Sequence, residues 1–446
     1  MNMKRPLAFL LAAGMTLGLA ACGGNGGTSG SGSSGSSGSA DGSAVTLDLW
    51  AFNIGGFTEA SNWDTILAAF NEQHPDITVN VTPINYQDGD QKLTSAITSN
   101  SGPDIIFEGP ERIVGNYARE GLMVDLSDLW TESGSDIAEG ISSVSQLDGT
   151  YYMYPLSVAA HCMAINYEVF EAAGALQYID EETRTWSTDD FVAAMEAIKT
   201  AIDDGTVSLA TPGIVYCGAQ GGDQGTRALV NNLYSDYYVN DDGTSYNANS
   251  ANNVKALTLL QEMVNEGSLS ANASYAAADE LQAFANQTCA VTFCWNYSNY
   301  TQYAEQTQFT PFAMAFPSDD GQPELEMAGP YGFGIFDNGD EAKIEAAKTF
   351  IDFIAADPDQ VGASVLASTY FPVRESVGDI YAGNDIMSEY TKFMGFLGDY
   401  YQITPGWATA RTEWWNMLQR VGTGEPVEQA VATFVENANA AATAEA

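Results

Sequence analysis

The sequence predicts an α/β fold of two lobes, each a mostly parallel sheet flanked by helices. Strand and helix patterns alternate from Val45 onward, and this alternation favours parallel strands joined by crossover helices. The part of the chain that follows Val45, about 400 residues, also exceeds the size that one hydrophobic core usually serves. Two lobes with a cleft between them are therefore the expected architecture.

The first residues of the chain have the features of an export signal. Two basic residues precede an apolar run from Leu7 to Leu19, which is too short to span a membrane and is typical of a secretory signal peptide. The run closes with the letters LAAC at Cys22, which resemble a bacterial lipobox, where a signal peptidase cuts before a cysteine that carries diacylglycerol. We therefore predict a signal peptide over residues 1–21 and a lipid on Cys22 that anchors the protein to the extracytoplasmic face of the cell membrane. The alternative is a chance cysteine after an ordinary signal peptide.

Residues 22–44 are rich in glycine and serine. Such a composition cannot bury a core and behaves as a flexible linker, with a root-mean-square span of roughly 25 Å. The segment is predicted to tether a globular body to the membrane.

The globular body opens with a β-α-β-α-β pattern. VTLDLWAF, which begins at Val45, is a strand, and Asn62 is positioned to cap a helix with Trp63 and Phe70 on its apolar face. ITVNVTPI is the next strand, QKLTSAITSN the next helix, and a third strand begins at Asp104. Right-handed crossovers between these strands would give a parallel sheet.

Later segments add helices and one hairpin. A helix begins at Ser187 in STDDFVAAMEAIKTAI, a second is closed by Gly267, and a third, DEAKIEAAKTFIDFIAADP, is stopped by Pro358. The C-terminal run predicts two helices broken at 422–426. VNDDGTSY contains the Asp-Gly of a hairpin turn and lacks the spaced ligands of a calcium loop.

The charge balance is strongly acidic. Removal of residues 1–21 takes away Lys4 and Arg5 and no acidic residue, so 13 basic and 58 acidic residues remain and the formal charge is −45. This field repels nucleic acid and anionic ligands such as phosphate and sulfate. A solvated, solubilising surface is one explanation, and attraction of a cationic ligand is another.

The reactive side chains do not form a recognisable catalytic or metal-binding pattern. The spacing of Cys162, Cys217, Cys289 and Cys294 matches no zinc motif, and disulfides and buried free thiols both remain open. His74 and His161 are the only histidines, and neither a G-x-S-x-G nor an H-E-x-x-H motif is present. We expect no metal, no cofactor and no enzymatic activity. A glycosidase with two carboxylates is the enzymatic alternative, but acidic residues are too abundant for one pair to be singled out.

Several runs together resemble the family 1 extracellular solute-binding proteins of ABC transporters, which include maltose/maltodextrin- and oligosaccharide-binding proteins. The similar runs include GPDIIFEGPERIVGNYAREGLMVDL, LDGTYYMYPLSVAAHCMAINYEVFEAAGAL, LQAFANQTCAVTFCWNYSNY and GPYGFGIFDNGDEAKIEAAKTFIDFIAADPDQ, and the similarity extends over nearly all of 45–441. The resemblance implies a type II periplasmic-binding-protein fold, and a monomer that captures a carbohydrate and delivers it to separate ABC permease subunits.

The resemblance also implies how the lobes divide. The N-terminal lobe would comprise 45–157 plus 334–371, and the C-terminal lobe 161–328 plus 376–446. Three crossings would connect the lobes, near Ser157–His161, Ala328–Phe333 and Tyr370–Glu375.

A sugar site combines aromatic rings, which pack on C–H faces, with carboxylate, amide and guanidinium groups that bind hydroxyls. The matching runs place such residues at the cleft. Glu111 and Arg112 match an acid–arginine pair of the family, and Glu108 occupies a position where a stacking tryptophan is lost. The full predicted set of ligand-binding residues is Asn53, Glu108, Glu111, Arg112, His161, Trp295, Asn296, Tyr331, Trp407 and Arg411.

Several of these assignments have structural alternatives. Glu111 and Arg112 could form a surface salt bridge, Trp295 could be a core aromatic, and His161 could be a satisfied structural residue. The register of 407–415 is ambiguous between tryptophans. A polyamine or small peptide in the same fold is the alternative ligand, because cations also stack on aromatic rings.

Overall fold

The structure is a computed structural model, and it describes residues 44–86, 88–218, 223–240, 243–325, 329–398 and 402–445. The predicted signal peptide, Cys22 and the linker up to residue 43 lie outside these residues. The strands are β1 Val45–Phe52, β2 Ile77–Ile84, β3 Ile105–Glu108, β4 Gln146–Leu147, β5 Thr150–Tyr151, β6 Tyr154–Val158, β7 Cys162–Asn166, β8 Ile214–Tyr216, β9 Ser270–Asn272, β10 Val291–Trp295, β11 Pro311–Met314, β12 Tyr331–Ile335 and β13 Phe371–Pro372.

Helices pack against the strands of these sheets. They are α1 Ala60–Gln73, α2 Gly89–Thr98, α3 Pro110–Arg112, α4 Ser127–Ser133, α5 Glu139–Val144, α6 Tyr167–Ala172, α7 Thr188–Asp203, α8 Gln224–Leu233, α9 Ala251–Glu266, α10 Ala277–Ala285, α11 Tyr297–Tyr303, α12 Glu341–Ala355, α13 Val361–Ser368, α14 Asp385–Thr391, α15 Trp407–Gly422 and α16 Val427–Glu445. A π-helix, Ile113–Ala118, continues directly from α3. No helix among the described residues is both long enough and apolar enough to cross a bilayer.

The predicted α/β class and its two lobes are confirmed. The first lobe is built on a six-stranded sheet in the order β13-β6-β12-β3-β1-β2, and the second on a three-stranded sheet in the order β10-β7-β11 with β8 and β9 beside it. In the first sheet β1, β2, β3 and β6 run in one direction and β12 and β13 run in the other. In the second lobe β7 is antiparallel to β10 and β11, while β8 and β9 are parallel.

The reversed strands have a topological cause. β7 enters the second lobe directly from β6 of the first lobe, and β12 returns from the second lobe to the first. A strand that arrives from the other lobe has no crossover helix of its own before it, so it need not follow the direction of the parallel set. β13 also runs against the parallel set, although it follows α12 and α13 within the first lobe, so the prediction of mostly parallel sheets holds for β1, β2, β3 and β6.

Local signals in the sequence set most element bounds. Ser187 and Ser250 cap α7 and α9 by accepting from Asp190 N and Asn253 N, and Asp340 caps α12. Gly267 ends α9 with a φ of 82°, a left-handed conformation that suits glycine. The C-terminal break is confirmed, because α15 ends at Gly422 and α16 starts at Val427.

One predicted cap is wrong. α1 begins at Ala60, and Glu59 is its N-cap residue. The Asn62 amide instead donates to Gly56 O at 2.6 Å and to Ala367 O at 3.2 Å, which ties the start of α1 to α13. The Asn62 side chain therefore bonds to a residue more than 300 positions away in the chain instead of capping α1.

Arg374 and Glu375, at the end of the predicted third crossing, contact residues of the first lobe. Arg374 donates to Ala355 O at 2.8 Å and forms an ion pair with Asp136, and Glu375 N donates to Asp136 O at 3.1 Å. The predicted crossings and lobe bounds stay predictions.

Candidate ligand-binding site

Polar and aromatic side chains gather at one edge of the first sheet. Parallel strands β1, β2 and β3 bring their carboxyl ends to this edge, where open α/β sheets bind their ligands. Asn53 follows β1 with an exposed side chain, and its backbone N–H donates to Ile84 O at 2.9 Å. Tyr86 follows β2, and Glu108 is the last residue of β3. The predicted residues Asn53 and Glu108 thus share this edge with Tyr86, which the sequence did not single out.

Arg112 forms the centre of the polar group at this edge. Its Nη1 donates to Glu108 Oε1 at 2.9 Å and to Glu111 Oε1 at 3.3 Å, and its Nε donates to Asp90 Oδ1 at 2.7 Å. The guanidinium carbon lies 4.8 Å from the ring centroid of Phe52. The predicted acid–arginine pair is therefore part of a larger cluster in which the arginine side chain is only 11 % exposed.

Burial controls the ionisation of this cluster. The pKa of Glu108 is raised to about 7, first because its carboxyl is fully buried and second because Glu111 is near, while Arg112 opposes the rise. Burial, with the neighbouring Glu108 charge, also raises the pKa of Tyr86 well above its usual value. The residue itself is 44 % exposed.

The second lobe presents a cluster on α8 and α15. Asp223, directly before α8, accepts from Arg411 Nη2 at 2.7 Å and forms an ion pair with Arg227. The guanidinium carbons of Arg227 and Arg411 lie 4.8 and 6.0 Å from the ring centroid of Trp407. The predicted residues Trp407 and Arg411 are therefore brought together. Trp407 is 7 % exposed and Trp414 is 1 % exposed, so both indoles are buried in this structure, and the Trp407 ring packs beside the two guanidinium groups.

One contact joins the helical run that carries Arg112 to the segment that leads into α15. Arg119, which ends the helical run that begins with α3, donates from Nη2 to Ile403 O at 3.3 Å. A Cβ placed on Gly115 would lie 3.3 Å from Ile403 Cα, so the backbones approach closely here. Ile403 precedes Trp407 by four residues, and the helical run that carries Arg112 thus contacts the segment that leads into α15.

The crossings contribute two more aromatic side chains. Tyr331, at the start of β12, stacks on Tyr370 with ring centroids 5.6 Å apart and planes inclined by 20°. Burial raises the pKa of Tyr331 well above its usual value, and Tyr370, Glu108 and Glu111 add to the effect. The predicted residue Tyr331 is half-buried and lies beside the Arg112 cluster.

Trp295 does not offer a surface to a ligand in this structure, contrary to its predicted role. The side chain is fully buried, and its Nε1 donates to the Tyr390 hydroxyl at 2.7 Å. Its ring makes an edge contact with Phe284 at 5.6 Å between centroids. The residue is a core aromatic because α10 and α14 cover the end of β10.

Asn296 and His161 also have structural roles. The Asn296 side chain accepts from Asn299 N at 3.0 Å and caps α11, and the residue is 8 % exposed. His161, also 8 % exposed, places Nδ1 3.8 Å from Cys294 Sγ. Burial, with Arg227 nearby, lowers the pKa of His161 to about 4, so the imidazole is neutral. Neither side chain matches the predicted role as an accessible sugar ligand.

The sequence contained signals for the residues that were missed. Tyr86 follows β2 in the same way that Glu108 ends β3, so the rule for carboxyl ends of strands applies to both. Asp223 and Arg227 are four residues apart at the start of a helix, a spacing that favours an ion pair. In the part of the chain that the structure describes, Cys162, Cys217, Cys289 and Cys294 are free and buried, and no group of three or more histidine, cysteine or acidic side chains is arranged to hold a metal ion.

Comparison with known proteins shows that most of the chain matches one protein family. A family model described as bacterial extracellular solute-binding protein matches residues 65–395. The diacetylchitobiose-binding protein DasA of Streptomyces coelicolor is 31 % identical over 174 residues, which are 39 % of this chain and only 39 % of the relative's own length.

Solved structures share the fold. The sugar-binding protein MalE of Xanthomonas citri superposes with a TM-score of 0.70 at 18 % identity and covers 90 % of this chain and 98 % of its own. The cyclic α-maltosyl-1,6-maltose binding protein of Arthrobacter globiformis gives a TM-score of 0.70 at 20 % identity, with 90 % and 99 % covered. Because the family model matches about three quarters of the sequence, the chain belongs to the bacterial extracellular solute-binding proteins, a family that acts outside the cytoplasm.

Proposed function

We propose that this protein is the solute-binding lipoprotein of an ABC importer, and that it captures a carbohydrate, in particular an oligosaccharide, between its lobes. The observation that carries the proposal is the Arg112 cluster, which combines a planar guanidinium, carboxylates and aromatic rings at the ligand-binding edge of the sheet. Forked donors and acceptors of this kind bind vicinal hydroxyls, and rings pack on the C–H faces of sugars. The names of DasA and of the maltose-type structural relatives support the same ligand class.

The mechanism follows from the arrangement of the two walls. Asn53, Glu111, Arg112 and Tyr331 would contact the ligand from the first lobe and the crossings, and the buried Glu108 would hold Arg112 in position. Arg411 would contact it from the second lobe, where the buried Trp407 ring supports the guanidinium. A ligand that touches both walls only when they are close stabilises the closed state, which is the form that membrane permease subunits would receive. The protein would act as a monomer and carry out no chemistry on the sugar.

A thermal-shift panel on residues 44–446 tests the ligand class. The panel contains neutral saccharides, beginning with N,N′-diacetylchitobiose and maltotriose, and a polyamine arm with spermidine. A cognate ligand at a hundredfold excess over Kd is expected to stabilise the protein by about 2.7 kcal/mol. Stabilisation by spermidine alone would replace the carbohydrate with a cationic solute, and turnover of a saccharide would replace binding with catalysis.

Arg112→Ala should remove the saccharide response, because it deletes the central fork of the site. The matched control is Arg420→Ala at the far end of α15, where the arginine side chain is half-buried. Loss of Arg112 also leaves Glu108 buried without its cation, so the unliganded melting temperature of each variant is measured first. An unchanged saccharide response in folded Arg112→Ala would contradict the proposed site.

The lipid anchor is a separate part of the proposal. Cys22→Ser in the full chain is expected to move the protein from the membrane fraction to the soluble extracytoplasmic fraction, because the acyl chains attach only to that thiol. A wild-type protein that is already soluble outside the cell would contradict the anchor and leave the ligand class untouched.

A further inference from the structure

Tyr86 is an exposed aromatic side chain held in a fixed position. It lies two residues after the end of β2, and 44 % of its surface is accessible. Exposed aromatic residues that are scattered singly need no explanation. Tyr86 differs because its neighbours fix the ring.

Two contacts fix the ring. Tyr86 packs on Phe52 with centroids 5.0 Å apart and planes inclined by 38°. The guanidinium carbon of Arg112 lies 5.4 Å from the Tyr86 centroid. A ring whose rotation is already restricted loses little conformational entropy when a ligand covers it.

The position of the ring is that of a wall of the candidate site. Phe52 and Arg112, which contact the ring, belong to the carboxyl edge where Arg112 pairs with Glu108. Because 44 % of Tyr86 is accessible, part of its ring remains open to solvent beside this cluster. Asp90, whose side chain is 57 % exposed, pairs with Arg112 at the same place and provides carboxylate oxygens beside the ring.

We propose that Tyr86 is the stacking surface of the first lobe, on which one saccharide ring lies by its C–H face. Hydroxyls at the edge of that sugar ring would then meet Glu111, Asp90 and Arg112. This inference rests on the proposed carbohydrate-binding function.

The test compares four variants of residues 44–446. Tyr86→Phe keeps the flat ring and loses the hydroxyl, Tyr86→Leu keeps apolar bulk without a flat face, and Tyr86→Ala removes both. Ile386→Ala, which truncates a side chain of similar exposure (42 %) on α14, is the control. Dissociation constants are measured by calorimetry for N,N′-diacetylchitobiose, maltotriose and any other saccharide of the panel that binds the wild type, after melting curves show that each variant is folded.

We expect Kd to rise about tenfold or more in Tyr86→Ala, to rise clearly in Tyr86→Leu, and to stay within about threefold in Tyr86→Phe and Ile386→Ala. Unchanged affinity in Tyr86→Ala, with the wild type binding a saccharide, would overturn the role of Tyr86 and leave the proposed function standing. Equal losses in Tyr86→Phe and Tyr86→Ala would assign the effect to the hydroxyl and overturn stacking. A wild type that binds no saccharide would overturn both.

Discussion

Trp295→Ala should unfold the second lobe more readily rather than remove ligand binding selectively. The indole is fully buried at the end of β10. Its ring packs against Phe284, and its Nε1 donates to the Tyr390 hydroxyl at 2.7 Å. Truncation would therefore leave a cavity between α10 and α14 and a buried hydroxyl without its donor.

The magnitude follows from these two losses. A buried Trp→Ala change costs about 3–5 kcal/mol through lost transfer energy and the cavity. A buried hydroxyl that loses its partner adds about 1–3 kcal/mol, and the two terms are not strictly additive because the cavity lets Tyr390 move. We expect a loss of about 4 kcal/mol or more in the free energy of unfolding. Tyr390→Phe, which removes only the hydrogen bond to Trp295, should cost about 1–3 kcal/mol.

Urea denaturation of residues 44–446, followed by circular dichroism, measures these losses. Trp415→Ala is the matched control, because Trp415 is half-buried on α15 and should cost less. Saccharide affinity of the folded Trp295→Ala protein should remain within about threefold of the wild type. A variant that keeps its stability within about 1 kcal/mol while its saccharide response disappears would show that the indole faces the ligand and would refute the assignment to the core.

Three further predictions concern buried charge and ligand charge. Glu280 is fully buried and its pKa is raised to about 8 by burial, so the folded state holds this proton between pH 4.5 and 8 while the unfolded state does not. Its contribution to the free energy of unfolding should fall by roughly 5 kcal/mol over that range. Glu280→Gln should reduce the decline in urea titrations at pH 5, 6.5 and 8.5, most clearly above pH 7, because Glu108, whose pKa is raised to about 7, still contributes below it. Arg374→Ala removes a 6 % exposed arginine from its ion pair with Asp136 and should lower the free energy of unfolding by about 3–5 kcal/mol. A loss below 1 kcal/mol in urea denaturation would show that the third crossing does not depend on this arginine. A galacturonate oligomer should bind at least tenfold more weakly than its neutral galactose counterpart, because three carboxylates surround Arg112. The difference in affinity, measured by calorimetry, should become smaller as salt is added. Equal affinities at low salt would contradict a repulsive effect of the carboxylates in the Arg112 cluster.

Much of the fold could be predicted because its signals are local. The strand VTLDLWAF coincides with β1 and ITVNVTPI with β2, and the predicted break at 422–426 separates α15 from α16. Period-two strands, serine caps and glycine or proline stops act within a few residues, so one sequence contains them. Asn62 shows the limit, because its amide partner at Ala367 becomes available only once α13 packs beside α1.

The site was harder to predict because exposure depends on elements that are distant in the chain. Trp295 and Tyr86 are both aromatic residues at or just past the end of a strand, and local sequence does not distinguish them. Tyr390, 95 residues further along, accepts the Trp295 hydrogen bond, whereas Tyr86 follows β2, the outermost strand of its sheet. An aromatic residue at a strand end is thus a core residue in one lobe, at Trp295, and a partly exposed residue in the other, at Tyr86. A pattern of strand ends can therefore identify which residues reach the carboxyl edge, but the strand order and the covering helices decide which of them a ligand can touch.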